Sequence, residues 1–368
     1  MPLPLNPNLR SLPVYQPGRP IEEVAREIGL PPSDIIKLAS NENPLGPSPA
    51  ALDAIAKTLG QLNLYPDGNA YYFKRKLAAT LGLGAEHLIV GNGSNEIIEF
   101  VGHALLGPGA EVVVSQYCFA VYPIVTALCG AELVTVPARA FGHDLPAMLR
   151  AITPRTRIVF VANPNNPTGT LASAAELLAF VREVPPDVLL VIDEAYIEFL
   201  DEPADLLPLV REGGRLNLVL MRTFSKIYGL AGLRVGYGVG HPEMIAALEK
   251  VRQPFNLNSV AQTAALAALD DHDHVRKTRQ NNAAGMRVLT EGFREMGLDY
   301  VPSAANFVIF RVGDGQRVFA ELQRQGVIVR PLGVYQMPEW LRVTVGTASE
   351  NARFLGALRK LGLKPGQN

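Results

Sequence analysis

The sequence predicts an α/β protein: a large domain on a mostly parallel sheet covered by helices on both faces, a smaller α+β domain after it, and an extended N-terminal arm. Three observations predict this. From about residue 41 to residue 256, fully apolar runs of strand length alternate with helix-like stretches, and strands apolar on both faces belong to buried parallel sheets. Beyond residue 256 the texture changes to long helical stretches followed by short strands. The first 49 residues hold 11 prolines, a density that suits extended chain rather than a packed core. The division expected is therefore 1–40 for the arm and part of the small domain, 41–256 for the large domain and 257–368 for the small domain.

In chain order, one short helix interrupts the arm. Pro20 fits its first turn, Glu22 and Glu23 favour its N-terminus, and Gly29 followed by Pro31 stops it. Strand-like runs follow at 87–91, 111–115, 132–137, 157–163, 188–193 and 216–223, with helix-like segments such as 94–106 and 173–184 between them. Helical stretches at 259–270 and 274–296 precede short strands at 306–311, 326–330 and 341–345. No internal repeat or low-complexity tract is present.

Composition narrows the class. A chain of 368 residues suggests two or three domains, and 48% hydrophobic residues supply a large core. Lys+Arg 34 against Asp+Glu 35 gives a net charge of −1, so no basic stripe suits nucleic acid or anionic lipid. The longest apolar runs are strand-sized, and no membrane partner is expected. Prolines stand where a signal peptide needs a charged start and an apolar run. Cys118 and Cys129 are the only cysteines, which argues against a disulfide framework, and no Cys/His cluster has zinc spacing. A cytoplasmic enzyme without a metal is expected.

Lys226 is the most informative residue. The apolar run 216–221 ends in Thr223-Phe224-Ser225-Lys226, a glycine-rich stretch follows, and Arg234 lies eight residues beyond the lysine. A lysine in a confined site can lose its proton and condense with an aldehyde cofactor. Thr223, Ser225 and Arg234 would hold a phosphate beside it, so the stretch reads as a pyridoxal-phosphate anchor. A surface lysine after a strand would look the same in isolation; the other motifs decide against it.

Gly91-Asn92-Gly93-Ser94-Asn95-Glu96 is a strand end, a tight turn and a helix start, where backbone N–H groups and the helix dipole bind phosphate. Glu96 stands in place of the third glycine of a dinucleotide fingerprint, so that reading is excluded. Asp193 ends a buried strand, placed to hold a proton on a pyridine nitrogen, with Tyr196 three residues on as a donor to a phenolate oxygen. A Mg²⁺-binding carboxylate is the rival there, weakened by the lack of a Gly-x-x-x-x-Gly-Lys-Ser/Thr loop. Asn163-Pro164-Asn165-Asn166-Pro167-Thr168-Gly169 forces a rigid loop that would present Asn166 to a cofactor oxygen. Phe119 and Tyr122 are candidates to stack on a planar ring, and Tyr65 sits in a turn from which its hydroxyl could reach a phosphate. Arg330 and Arg342, each on a short strand, are candidate clamps for a substrate anion. Tyr15 and the Asn41-Glu42-Asn43-Pro44 stretch, with Asn43 as its candidate, would line the same mouth.

The runs 223–236, 163–169 and 192–196, in that spacing, resemble the fold-type I pyridoxal-phosphate-dependent aminotransferases, and within them the histidinol-phosphate aminotransferases. The likeness extends from Tyr15-Gln16-Pro17-Gly18 to Leu341-Arg342-Val343-Thr344-Val345-Gly346-Thr347. It implies a seven-stranded sheet in the large domain, pyridoxal 5'-phosphate as cofactor, and L-histidinol phosphate with 2-oxoglutarate or L-glutamate as substrates. By the same resemblance Lys226 carries the cofactor and moves the proton, Asp193 pairs with the ring nitrogen, and Asn166 and Tyr196 contact the ring oxygen. Gly93, Ser94, Asn95, Thr223, Ser225 and Arg234 would hold the phosphate. Phe119 takes the place of a stacking aromatic that is tyrosine in many relatives. Tyr65 would reach the cofactor of a second subunit, so a homodimer with a shared active site is implied. Arg342 would bind the substrate anion, helped by Arg330. Other readings of the same apparatus are an aromatic or broad-specificity aminotransferase, a decarboxylase of a phosphorylated amino acid, and a non-enzymatic regulator that binds the cofactor.

Overall fold

The computed structural model describes residues 3, 7–9, 12, 18–211 and 215–363. Tyr15 lies outside these described residues. After a short strand β1 (Ile36–Lys37), seven strands form one sheet: β2 (Leu88–Asn92), β3 (Glu111–Ser115), β4 (Glu132–Val136), β5 (Thr156–Ala162), β6 (Leu189–Asp193), β7 (Leu218–Thr223) and β8 (Val235–Gly240). Their spatial order is β2-β8-β7-β6-β5-β3-β4. Neighbours are parallel except at β8, which runs antiparallel to both β2 and β7.

Alternate side chains of these strands enter two cores. On one face Val90, Val113, Val161, Ile192 and Leu220 pack under helices that include Tyr71–Leu81 and Ala174–Glu183. On the other, Ile89, Val114, Phe160, Val191 and Met221 pack under Ser94–Leu105 and Val121–Leu128. Both faces are covered, which is why these runs read as continuously apolar.

Strand β8 was not legible as a strand, because Gly236, Gly238 and Gly240 alternate through it and read as turn residues. Packing explains them. A Cβ at Gly236 would overlap the backbone of Gly93 and Ser94, and one at Gly238 would press on Ile89 and Ile97. The glycines let the helix Ser94–Leu105 sit directly on β8.

The small domain holds β9 (Tyr300–Val301), β10 (Phe307–Arg311), β11 (Val327–Ile328), β12 (Arg330–Pro331) and β13 (Trp340–Thr344). Four of them form an antiparallel sheet in the order β12-β13-β10-β9, while β11 pairs in parallel with β1. The single strand expected at 326–330 is thus two, in different sheets. Phe293, Phe310 and Phe354 centre this core. One helix departs from the expected division at residue 256. Ser259–Ala268 buries Ala261, Ala264, Ala265 and Ala268 in the large-domain core, because small side chains let it approach closely.

Candidate active site

Strands β2, β3, β5, β6 and β7 all point their C-terminal ends to one edge of the sheet, where open α/β sheets bind ligands. A cavity of about 1250 Å³ lies there, closed on its far side by the small domain. Its walls include Lys226, Asp193, Tyr196, Asn166, Phe119, Ser94 and Asn95. Thr223, Ser225, Arg234, Arg330 and Arg342 complete the set brought together from the predicted residues.

Lys226 stands just past the end of β7, with Nζ donating to the Ser40 carbonyl at 3.3 Å and 5.7 Å from the centre of the Tyr196 ring. Burial of the amine, then the cations Arg342 and Arg234, pull its pKa down to about 8, against the pull of Glu42 and Asp193. Asp193 ends β6 at 6% exposure. Its Oδ1 accepts from the Ala195 N–H at 3.1 Å and its Oδ2 from the Tyr122 hydroxyl at 2.6 Å. Burial pushes its pKa up to about 6, and those two hydrogen bonds oppose the rise.

Tyr196 is buried, its hydroxyl accepting from Asn41 Nδ2 at 2.9 Å, and its pKa is pushed up to about 12, mainly by burial. Asn166 is held by a loop with two cis X-Pro peptide bonds, Asn163–Pro164 and Asn166–Pro167. Inside this loop Gly169 N–H donates to the Asn165 carbonyl at 2.8 Å, and Asn165 Nδ2 reaches Thr168 Oγ1 at 2.9 Å.

The anion-binding side forms where β2 turns into the helix Ser94–Leu105. Gly93 has φ 81 and no side chain to cap that helix. A Cβ on Gly93 would collide with the Arg234 guanidinium, so the glycine's absence of side chain is what admits the arginine. Arg234 itself has φ 58 and donates to the Ala231 carbonyl at 3.0 Å. Thr223 Oγ1 accepts from the Ser225 N–H at 3.1 Å and donates to the Val235 carbonyl at 3.2 Å, which fixes the turn that carries both hydroxyls. A helix N-terminus, two hydroxyls and a guanidinium form a cradle for a phosphate dianion.

On the small-domain wall, Arg342 of β13 is 6% exposed. It donates to Asn166 Oδ1 at 2.6 Å and to the Ala39 carbonyl at 3.1 Å, and lies 5.0 Å over the Phe307 ring. Arg330 is its register partner on β12.

Two candidates stand elsewhere. Asn43 is turned from the cavity: its amide nitrogen donates to the Ile227 carbonyl at 2.9 Å and to Thr278 Oγ1 at 3.0 Å. Its neighbours Asn41 and Glu42, with Ser40, line the cavity in its stead, since Asn41 at φ 55 turns the chain there. Tyr65 is 84% exposed and stacks on Phe255 at 4.9 Å, away from its own chain's cavity. Tyr122, grouped in the sequence with Phe119 as a stacking aromatic, is 1% exposed behind the wall. Its bond to Asp193 was not foreseen; the only signal was its position three residues after Phe119, one helical turn on.

A family model for class I and II aminotransferases matches residues 33–358. A histidinol-phosphate aminotransferase of Akkermansia muciniphila is 51% identical over 97% of this chain and 98% of its own length. Histidinol-phosphate aminotransferase 1 of Thiobacillus denitrificans is 52% identical over 98% of this chain and 94% of its own. Among solved structures, the histidinol-phosphate aminotransferase of Sinorhizobium meliloti in complex with pyridoxal-5'-phosphate superposes with a TM-score of 0.89 at 29% identity, covering 98% of each chain.

Proposed function

Because the chain belongs to the class I and II aminotransferases, we propose that its cavity holds pyridoxal 5'-phosphate and transfers an amino group between L-histidinol phosphate and 2-oxoglutarate, in histidine biosynthesis. The observation that carries this reading is the convergence of three things on one cavity: an amine with a lowered pKa, a buried carboxylate and an anion cradle. The residues fit the cofactor. Its phosphate matches the cradle made by Gly93, Ser94, Asn95, Thr223, Ser225 and Arg234, its pyridine nitrogen matches Asp193, and its aldehyde matches Lys226.

When bound, the cofactor supplies an aldehyde that condenses with amines and a protonated ring that draws electrons from the substrate carbon. Lys226 Nζ would hold the cofactor's aldehyde carbon and, once the incoming substrate amine displaces it, would take and return the proton at the substrate carbon. Asp193 would keep the ring nitrogen's proton in place. Tyr196 and Asn166 would hold the ring oxygen, Phe119 would pack on the ring face, and Arg342, with Arg330 beside it, would bind the substrate's anionic group. The amino donor and the oxo-acid acceptor use the site in turn, so the kinetics are ping-pong.

The enzyme acts as a homodimer, with Tyr65 of each subunit reaching the phosphate in the other. The exposed Tyr65, Leu62, Leu64, Tyr72 and Phe255 support this, as an apolar surface needing a cover. No helix among the described residues is long and apolar enough to cross a membrane, and the cytoplasm is the proposed location.

The test is the absorption spectrum of the purified protein, titrated with L-histidinol phosphate and separately with phenylalanine and glutamate. Conversion of the cofactor band at low histidinol phosphate is the expected result. A band that responds only to phenylalanine discards the histidine pathway and leaves an aromatic aminotransferase.

A further inference from the structure

We propose that Tyr122 is a positioning residue, holding the Asp193 carboxylate in its anionic, ring-facing arrangement and tying it to the stacking residue Phe119. The proposal rests on the reading of the cavity as a pyridoxal-phosphate site.

The phenol is held on every side. Its hydroxyl donates to Asp193 Oδ2 at 2.6 Å. Its ring lies flat on Phe160, centroids 4.4 Å apart at 4°, and meets Phe119 edge-on at 5.7 Å and 82°. Its N–H donates to the Phe119 carbonyl at 3.1 Å, and its own carbonyl accepts from Thr126 Oγ1 at 2.8 Å. Phe119 faces the cavity while Tyr122 stands behind it. The turn from Phe119 into the helix Val121–Leu128 thus supports both a ring face and, through Asp193, a ring edge.

The bond has a chemical consequence. Each Asp193 oxygen has two lone pairs. With one taken by Tyr122 and one by the Ala195 N–H, each oxygen keeps one for the ring nitrogen. The groups around the pair are Cys118, Tyr196, Glu194 and Lys226. Burial pushes the Cys118 thiol and the Tyr196 phenol up to about 12, so both stay neutral at physiological pH. Glu194 is bonded to Arg222 at 2.7 Å. Tyr122 keeps its own proton, since burial and the Asp193 charge hold its pKa well above the ordinary value. It is therefore a permanent donor that makes Asp193 a weaker base. A single proton lies between Asp193 and the ring nitrogen, and a weaker carboxylate base leaves it on the nitrogen. Without the hydroxyl, the proton moves to the carboxylate and the ring loses its positive charge.

The test compares wild type and Tyr122→Phe, each reconstituted with cofactor labelled with nitrogen-15 in the ring. The ring resonance is read by NMR across the neutral pH range, beside kcat, KM and Tm. Wild type should show a protonated nitrogen. In Tyr122→Phe the resonance should move toward the unprotonated position, and kcat should fall by about tenfold or more with a smaller change in KM. A lowered Tm with an unmoved resonance would make Tyr122 merely structural and overturn the proposal. If Tyr122→Phe does not fold, Phe160→Leu decides. It keeps the phenol but removes the ring it lies on, so the same shift should appear in smaller measure, and an unmoved resonance overturns the clamp. Wild type that takes up no cofactor overturns the reading of the site itself, a result distinct from either of these.

Discussion

Arg342 on the small domain donates to Asn166 on the large domain across 2.6 Å. The proposed substrate arginine is thus bonded to the proposed cofactor-contacting amide, and anything that moves one moves the other. Replacing Arg342 with Ala releases Asn166 and removes the charge-assisted bond proposed to the substrate. A loss of about 2–3 kcal/mol in transition-state binding, roughly 30- to 150-fold in kcat/KM, is expected. The cofactor band should persist. Arg342→Lys should recover little, because an ammonium cannot reach Asn166 and Ala39 in one plane. Steady-state kinetics with the phosphorylated substrate check both variants.

The Lys226 amine, with a pKa lowered to about 8, should become reactive in the cofactor-free protein well below the range of an ordinary lysine. Amine labelling followed by mass spectrometry should show a midpoint near that value. The sign for stability follows: between the folded and unfolded pKa values the unfolded chain binds more protons, so stability rises with pH there. Lys226→Met should therefore raise the Tm of the cofactor-free protein at neutral pH and raise it less at alkaline pH. The same variant should show no transamination.

Gly236→Ala should destabilise the fold. The new Cβ would meet the backbone of Gly93 and Ser94, which cannot yield as a flexible side chain would. A loss of about 1–3 kcal/mol is expected from such overpacking, together with weaker cofactor retention, because the displaced turn is the anion cradle. Urea denaturation and dialysis against buffer read the two effects.

Tyr65→Ala and Lys226→Ala should each be inactive when purified alone yet regain activity when unfolded together and refolded. A mixed dimer then contains one site with an intact lysine from one chain and an intact tyrosine from the other. Mixing that restores nothing would show that Tyr65 does not act across a subunit boundary.

The large sheet was legible because its central strands are buried on both faces and so carry unbroken apolar runs, as in Val112-Val113-Val114 and Leu190-Val191-Ile192. The residues that end those strands, Asp193 and Thr223, were legible for the same reason: a polar residue stands out after an apolar run. Two kinds of feature were hidden. Strand β8 owes its glycines to a neighbour that approaches only in three dimensions. The bonds that Asn41 and Tyr122 make reach partners 155 and 71 residues away, and no local pattern reports a contact of that reach.

The segment from Ile36 to Asn41 carries an implication for how the chain is made. Ile36 and Lys37 pair with Val327 and Ile328, the Leu38 carbonyl accepts from Thr344 N–H, and the Asn41 N–H reaches Thr344 Oγ1. The Ser40 carbonyl receives Lys226 and the Ala39 carbonyl receives Arg342. Asn41 leaves the ribosome 303 residues ahead of its partner Thr344. The strands from 88 to 240 can assemble while synthesis continues, but this wall of the cavity must wait until residue 344 has been made. A nascent protein stalled before residue 327 would hold a formed sheet and an open, idle site.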